Sequence, residues 1–240
     1  MDKGRMLSGN SAIITGAGKG IGLAIARMIG KLGARVSICG RDQRRLDDAL
    51  EKLRMDGTEA MANIADVTVA EDVTTLVERT KDKFGPVTIL VNNAGVGIFK
   101  PAHQLSLGEW DNVMDTNLKG VFLMCRAVVP DMIQRGGGDI INIASLAGKN
   151  AFSGGGVYCA SKWGLLGLTH CMAEDLRDSG VKVSAICPGS VATEFSHSST
   201  KFDVSKMLQA DDVAHAVEMI LTQAPQSFVS EISLRPARKP

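Results

Sequence analysis

The segment "YCASKWG", residues 158–164, contains the only tyrosine of the 240-residue chain, and a lysine follows it four positions later. A phenol can give or take a proton, but its pKa of about 10 makes it a poor proton exchanger near neutrality. Because residues four apart lie on one face of an α-helix, Lys162 is expected beside Tyr158. Its ammonium would favour the phenolate and lower the pKa of the phenol. The pair therefore predicts acid–base chemistry.

One more polar residue suits the same reaction. A substrate oxygen that receives a proton also needs a hydrogen-bond donor, and Ser145, at the end of the strand-like run "IINIAS", can supply one. Ser145 lies outside any G-x-S-x-G motif, and the four histidines lack zinc-ligand spacing. Neither a hydrolase nor a metal site is predicted.

The elements that must position these residues follow an alternating pattern. Short runs rich in β-branched residues are mostly separated by stretches of helical periodicity, which indicates right-handed βαβ units. The runs read "SAIITG", "RVSICG", "AMANIADV", "TILVNNAG", "DIINIAS", "VKVSAICPG" and "SEISLRP". The predicted helices are Ile21–Leu32, Arg44–Met55, Ala70–Phe84, 106–133, Tyr158–Asp178 and Asp211–Leu221. We expect an α/β fold of Rossmann type, a doubly wound parallel sheet of about seven strands with helices on both faces.

No linker divides the chain, so residues 1–240 are predicted to form a single dinucleotide-binding domain. The polar, serine-rich segment 194–209 is either a solvated connection or a flap over the strand ends.

A glycine cluster, "TGAGKGIG" at 15–22, lies between the first strand and the first helix. Glycines let a pyrophosphate approach the backbone, and the helix N-terminus supplies N–H groups and partial positive charge. The spacing of Gly16, Gly20 and Gly22 is G-x-x-x-G-x-G. This position predicts a dinucleotide phosphate site.

The motifs together resemble the short-chain dehydrogenase/reductase family. They are the glycine cluster, "NNAG" at 92–95, Asn117, Ser145, "YCASK" and "PGSVAT" at 188–193, in the family's order and spacing. The resemblance implies an NAD(P)-dependent oxidoreductase with Tyr158 as acid/base, Ser145 bonding the substrate oxygen and Asn117 holding a water against Lys162. In the same family, the lysine also binds the nicotinamide ribose.

The resemblance also implies a set of cofactor-binding positions. Asp66 and Val67 would contact the adenine, and Thr193 with the backbone near Val191 would hold the carboxamide. The adenosine side would be lined by Asn92, Ala94 and Gly95. The full set is Gly16, Gly18, Lys19, Gly20, Ile21, Gly22, Arg41, Asp66, Val67, Asn93, Ala94, Gly95, Tyr158, Lys162, Pro188, Gly189, Val191 and Thr193.

The second strand indicates which dinucleotide is preferred. Members of the family that use NAD usually carry an acidic residue at its end, whereas here Gly40 occupies that position and Arg41 follows. Arg41, with Lys19 from the glycine cluster, can contact a 2′-phosphate. Asp42 weakens this local positive field. NADP(H) is expected in preference to NAD(H), which stays the alternative.

Composition excludes several other classes. The 27 basic and 26 acidic residues leave a formal charge of +1, which gives no reason to expect a nucleic-acid or membrane partner. Five widely spaced cysteines are typical of reduced thiols, and no apolar stretch reaches the length of a membrane span or signal sequence. A cytoplasmic protein is expected.

These observations predict an NADPH-dependent carbonyl reductase that acts on a small ketone or aldehyde. The nearest general resemblance is to the 3-oxoacyl-acyl-carrier-protein reductases, which makes an acyl thioester one candidate substrate. Those reductases usually end with a glycine pair after the last strand, whereas this chain ends "SEISLRPARKP". An NAD-linked alcohol or sugar dehydrogenase and a non-catalytic dinucleotide sensor are the alternatives. By resemblance, a homotetramer or homodimer built through the long central helices is expected.

Overall fold

The computed structural model describes residues 6–195 and 203–239. Its sheet contains seven parallel strands in the order β3-β2-β1-β4-β5-β6-β7. The strands are β1 (Ser11–Thr15), β2 (Arg35–Gly40), β3 (Ala60–Ile64), β4 (Ile89–Asn92), β5 (Gly138–Ile143), β6 (Val181–Pro188) and β7 (Glu231–Leu234). Six of them lie within runs predicted as strands and β5 begins one residue before its run, so the predicted doubly wound sheet is confirmed.

Seven α-helices cover the two faces of the sheet in the described residues. They are α1 (Gly20–Lys31), α2 (Gln43–Met55), α3 (Ala70–Phe84), α4 (Leu107–Met114), α5 (Gly120–Gln134), α6 (Gly156–Leu176) and α7 (Ala210–Leu221). One buried cluster joins the sheet to α1, α2 and α7, and the other joins it to α3, α5 and α6. The predicted cover of helices on both faces is therefore also confirmed.

The strands alternate their side chains between these two cores. In β1, Ile13 packs into the cluster of α3, α5 and α6, whereas Ile14 packs into the cluster of α1, α2 and α7. Because both faces are covered, every residue of β1 is apolar or fully buried. This explains why the central strands read as nearly continuous apolar runs.

The long helix predicted over 106–133 has an interruption that the sequence did not indicate. A five-residue π-helical turn, Asp115–Lys119, joins α4 to α5, and the backbone N–H of Gly120 donates to the carbonyl of Asp115. Such turns insert one extra residue and occur often at functional sites. Asn117 lies at the centre of this turn.

The order of strands reverses beside β1. The chain runs outward through β2 and β3 on one side, and returns to β4 on the other. Ligands of doubly wound sheets bind in the crevice that this reversal leaves at the carboxyl ends of the strands. The glycine cluster after β1 and "NNAG" at the end of β4 both open into it.

The predicted flap is described only in part. Its residues 196–202 lie outside the described residues. At its far end, the backbone of Leu208 donates to Ser190 O (3.0 Å) and accepts from Ala192 N (2.8 Å). That end is therefore fixed to the segment after β6. Within residues 6–195 and 203–239, no helix is both long and apolar enough to cross a membrane.

Candidate active site

The glycine cluster lies in close contact with the end of β4. A Cβ on Gly16, whose φ is +64°, would lie 2.9 Å from the Cα of Ala94, and a Cβ on Gly22 would lie 2.6 Å from Nδ2 of Asn93. No side chain fits either space. The two segments thus need glycine for contact with each other, as well as for access by a phosphate.

Asn93 and Thr15 hold this contact together. Asn93 Nδ2 donates to the carbonyls of Thr15 (3.0 Å) and Gly16 (3.1 Å). Thr15 Oγ1 accepts from the backbone N–H groups of Asn93 and Ala94, both at 3.0 Å. The side chain of Asn93, which belongs to the implied cofactor-binding set, thus braces the glycine cluster.

The N-terminus of α1 is suited to an anion. Its N-cap residue, Lys19, makes no side-chain cap, and its first turn has no acidic residue. The first N–H groups of a helix lack partners within the helix, so they can bind a phosphate. A Cβ on Gly20 would lie 3.5 Å from Thr193 Cγ2, which places Thr193 at the same entrance.

A cleft of about 140 Å³ extends from the glycine cluster across the ends of β2 and β3. Its walls include Gly40, Arg41, Asp66, Val67 and Gly95. Burial raises the pKa of Asp66, but hydrogen bonds from Thr68 and the charge of Arg41 outweigh it, so the net pKa is lowered. The cleft, the uncapped helix and the close glycines together fit an adenine dinucleotide.

Three cations surround this cleft, and each faces a carboxylate. Arg41 lies 3.6 Å from Asp66, while Lys19 and Arg45 both pair with Glu194, Arg45 at 3.4 Å. Sequence reasoning named Lys19 and Arg41 but missed Arg45 and Glu194. A signal for Arg45 existed, because it lies in the first turn of the helix that follows Arg41. Glu194 is distant in sequence and could not have been placed.

Tyr158 lies in the first turn of α6, half-buried and close to Ser145. Burial raises the pKa of its phenol, and a hydrogen bond with Ser145 opposes this. In this structure the net direction of the pKa is upward. The expectation that Lys162, together with the oxidised nicotinamide, lowers this pKa stays a prediction.

Lys162 is almost completely buried, and its Nζ donates to the carbonyl of Ile143 at 2.9 Å. Nζ also lies 6.0 Å from the centroid of the Tyr158 ring. Burial lowers the pKa of Lys162 to about 8. Lys162 is thus a buried cation at the base of the site, and it releases its proton more readily than an exposed lysine does.

Asn117 is fully buried, and both the oxygen and the nitrogen of its side-chain amide form hydrogen bonds with the backbone of Val96. Its Oδ1 accepts from Val96 N (2.8 Å), and its Nδ2 donates to Val96 O (2.9 Å) and to Ser161 Oγ (3.0 Å). Both amide hydrogens are therefore used within the protein. The side chain ties the segment after β4 to α6, and the implied role of Asn117 in holding a water against Lys162 stays a prediction.

Ser145 begins a short 3₁₀ turn, Leu146–Gly148, two residues after β5. Its Oγ accepts from Ala147 N at 3.0 Å, which leaves its O–H to donate elsewhere. A Cβ on Gly148 would lie 2.7 Å from the carbonyl of Lys162. This close approach fixes Ser145 relative to the helix that carries Tyr158 and Lys162.

The segment after β6 closes the site on the other side. Pro188 ends the strand, and the N–H of Gly189 donates to Leu234 O at 2.8 Å. Val191 forms a parallel bridge with Leu208, which holds the chain before Thr193 in place. Thus the four acid–base candidates and most of the implied cofactor positions lie at the carboxyl ends of the strands. Gly18 lies just before α1 and Ile21 in its first turn.

Three phenylalanines form an aromatic cluster with Tyr158, and no local sequence pattern indicated this cluster. Phe99 contacts the tyrosine edge to face, with ring centroids 5.3 Å apart, and Phe195 lies 5.9 Å away. Phe152 joins through Phe99 at 6.0 Å. The three come from separate loops after β4, β5 and β6, so only the fold brings them together.

The comparisons with known proteins agree with this site. The family model of the short chain dehydrogenases matches residues 10–204, so the chain belongs to that family. It is an NAD(P)-dependent oxidoreductase by that membership. An uncharacterized oxidoreductase of Staphylococcus saprophyticus is 37% identical over 227 residues, covering 94% of this chain and 96% of the relative. One from Staphylococcus epidermidis is 34% identical over 225 residues, with the same coverage.

Solved structures of similar proteins include complexes with dinucleotides. A metagenomic short-chain oxidoreductase with NADP is 41% identical, with a TM-score of 0.86 over 98% of this chain and 100% of that chain. A variant of the actinorhodin polyketide ketoreductase with NADPH is 34% identical, with a TM-score of 0.89 over 94% of both chains. An alcohol dehydrogenase from Thermococcus sibiricus with 5-hydroxy-NADP is 30% identical, with a TM-score of 0.88 over 96% and 98%.

Proposed function

We propose that the protein is a carbonyl reductase that prefers NADPH and reduces a small ketone or aldehyde, with Tyr158 as the acid/base. The observation that carries this proposal is the placement of Tyr158 beside Ser145, above the buried Lys162, at the edge of the sheet where the dinucleotide cleft ends. A single site thus brings together a proton donor, a second hydrogen-bond donor and a cation.

In the proposed mechanism, Ser145 and Tyr158 act on the substrate oxygen, and Lys162 acts on the phenol of Tyr158. The bound nicotinamide supplies the hydride. The Ser145 hydroxyl donates a hydrogen bond to the carbonyl oxygen and the Tyr158 phenol gives it a proton. Lys162 stabilises the phenolate that remains, and the bond from Asn117 to Val96 keeps the segment after β4 beside Lys162.

The preference for NADPH rests on charge at the outer end of the cleft. Three cations, Arg41, Lys19 and Arg45, lie near the end of β2. The strand itself ends in Gly40 and contains no acidic residue. Asp42, the nearest acid, caps α2 by accepting from Arg45 N at 3.2 Å. A 2′-phosphate would take over cations that are now paired with Asp66 and Glu194.

The experiment is a comparison of NADPH and NADH oxidation by the purified protein over a panel of carbonyl compounds that includes a 3-oxoacyl thioester. We expect faster turnover with NADPH, and we expect Tyr158→Phe to bind NADPH as the parent does while losing most turnover. Tighter binding of NADH, unaffected by Arg41→Ala, would refute the cofactor assignment. Full activity of Tyr158→Phe would refute the mechanism.

Oxidation of an alcohol is the second candidate function, because one similar solved structure is an alcohol dehydrogenase. The same residues serve both directions. Faster NAD(P)⁺ reduction with alcohols than NAD(P)H oxidation with the matching ketones, at a fixed pH, would favour it. Binding of a dinucleotide with no turnover in either direction would favour a sensor instead.

We also propose that the chain forms one domain and assembles into a homotetramer or homodimer through its long helices. The outer side of α6 supports the assembly, because Ala160, Trp163, Gly167 and Cys171 form an exposed stripe of apolar and small residues. A helix that is apolar all round is normally buried. A location in the cytoplasm stays a prediction.

A further inference from the structure

The aromatic cluster around Tyr158 is a feature that the proposed mechanism does not use. Phe99, Phe152 and Phe195 supply three of the seven phenylalanines of the chain, and Tyr158 is its only tyrosine. All three phenylalanines are nearly half exposed, at 45%, 48% and 45%. Large exposed apolar side chains gathered around a reactive group indicate a binding surface.

From this cluster we infer that the substrate carries an aryl group next to its carbonyl-bearing carbon chain, and that Phe99 recognises this ring edge to face. The inference rests on the proposed reductase function and specifies its substrate class. Phe99 contacts each of the other three rings: Tyr158 at 5.3 Å and 70°, Phe195 at 6.3 Å and 89°, and Phe152 at 6.0 Å and 42°. Phe99 is therefore the centre of the cluster.

Two glycines let the rings of the cluster approach the backbone. A Cβ on Gly97 would lie 2.7 Å from Cζ of Phe195 and 2.8 Å from Cζ of Phe99. A Cβ on Gly155 would lie 2.7 Å from Cζ of Phe152. The rings thus pack against backbone at positions where any other residue would collide with them.

Phe195 occupies the place that we assign to the substrate ring. It meets Phe99 almost perpendicularly and lies 5.9 Å from Tyr158, whose hydroxyl must reach the carbonyl. An aryl group that replaces Phe195 regains both aromatic contacts, whereas a saturated ring of equal size regains only apolar contact. Edge-to-face pairs add to area burial, so the site favours the aryl compound.

Charge near the cluster is neutralised. Lys100, the neighbour of Phe99, pairs with Glu109 at 2.5 Å, and this contact with the bond from Ser106 lowers the pKa of Glu109 to about 2. The Glu109 carboxylate therefore stays ionised near neutral pH, and because Lys100 pairs with it, the pair offers no unpaired charge to an anionic substrate. An uncharged aryl ketone suits this surface.

The test compares phenylacetone with cyclohexylacetone as substrates for the NADPH-loaded enzyme. Both carbonyls are unconjugated, so their intrinsic reactivity toward hydride is closely matched, and both rings contain six carbons, one planar and aromatic and the other puckered and saturated. We expect kcat/KM to be about fivefold higher for phenylacetone, mostly through KM. Equal kcat/KM values, or a preference for cyclohexylacetone, would overturn the inference even if both ketones are reduced.

Two variants distinguish recognition by Phe99 from displacement of Phe195. Phe99→Leu should reduce the preference for phenylacetone to about twofold, since the edge-to-face partner is lost and only the contact with Tyr158 remains. Phe195→Leu should lower KM for both ketones and keep their ratio, because leucine competes less well for the same place. Phe122→Leu is the matched control: Phe122 is 49% exposed on α5, and its substitution should change neither the ratio nor KM.

Binding without turnover separates the inference from the proposed function. Tyr158→Phe keeps the aromatic ring but lacks the phenol, so calorimetry with this variant and NADP⁺ should still show tighter binding of phenylacetone than of cyclohexylacetone. If the parent reduces no carbonyl compound but this binding preference is found, the proposed function fails and the aryl site stands. If binding shows no preference, the aryl site fails.

Discussion

Lys162 is a buried cation, and burial makes it costly to the stability of the fold. Its pKa is about 8 in the folded chain, against an ordinary value of 10.5. Between these values the unfolded chain binds more protons, so stability rises with pH through that window. The cost is fully present below about pH 8 and absent above about pH 10.5. At neutral pH it amounts to about 3 kcal/mol.

Lys162→Met should therefore stabilise the protein while it abolishes most turnover. We expect the free energy of unfolding at neutral pH to increase by about 2 kcal/mol, since the lost bond to Ile143 O offsets part of the gain. Urea unfolding of both proteins at several pH values measures this. The difference between them should shrink from pH 8 upward, and a difference that is constant with pH would contradict the proposed cause.

A second prediction at the residue scale concerns Glu194 and the preference for NADPH over NADH. Its carboxylate pairs with Lys19 and Arg45, two of the cations proposed to attract the 2′-phosphate. Glu194→Gln should lower the Kd of NADPH, because the two cations would no longer have to leave a carboxylate to bind the 2′-phosphate. NADH has no such phosphate, so its Kd should change less. The expected effect is only about threefold, because exposed ion pairs contribute little free energy. Fluorescence titration of both cofactors at low and high salt measures this.

The control for this change is Glu174→Gln, which breaks another exposed pair, that with Arg177, at the far end of α6. It should leave both dissociation constants unchanged. An equal gain for NADH and NADPH in Glu194→Gln would place the carboxylate near the pyrophosphate instead of the 2′-phosphate.

At the scale of elements, the contact between the turn of Ser145 and α6 sets the geometry of the reacting groups. Gly148→Ala would place a Cβ 2.7 Å from Lys162 O and 2.9 Å from Leu166 Cδ1, so turn and helix must separate. We expect kcat to fall about tenfold or more, because small displacements of reacting groups are costly, with the Kd of NADPH within about twofold. Steady-state kinetics and cofactor titration measure the two effects.

A matched glycine substitution tests whether this effect is local. A Cβ on Gly108, in α4, meets no atom within 4 Å, so Gly108→Ala should leave kcat unchanged and slightly raise the melting temperature. If Gly148→Ala weakens NADPH binding as strongly as it lowers kcat, the turn does not act on Ser145 alone.

The elements differ in how far the sequence could predict them. All seven strands and the ends of α3 were predictable, since β-branched runs and a regular helical period are local signals. The motif residues were also predictable, because most of them lie in short contiguous stretches of sequence. By contrast, the π-helical turn, the amide of Asn117 on Val96 and the pairing of Glu194 depend on contacts through space. The same is true of the aromatic cluster, whose rings come from three loops.

At the scale of the whole molecule, the exposed stripe on α6 is expected to be buried between subunits. Trp163→Glu would place a charge in that contact, and we expect a smaller particle by light scattering and a melting temperature that no longer depends on protein concentration. Met219→Glu, at an exposed apolar position on α7, is the control and should leave the mass unchanged. A parent protein that is already monomeric would contradict the assembly.

The π-helical turn between α4 and α5 also limits which changes in length the chain can accept. An α-helix turns about 100° per residue, so removal of one residue from Asp115–Lys119 would restore regular helix but rotate α4 against α5 by that angle. Val113 and Val121, both buried, could not then face the interior together. Asn117 would also turn away from Val96. We therefore expect single-residue deletions here to be far more damaging than substitutions, although the backbone hydrogen bonds of a helix would remain complete.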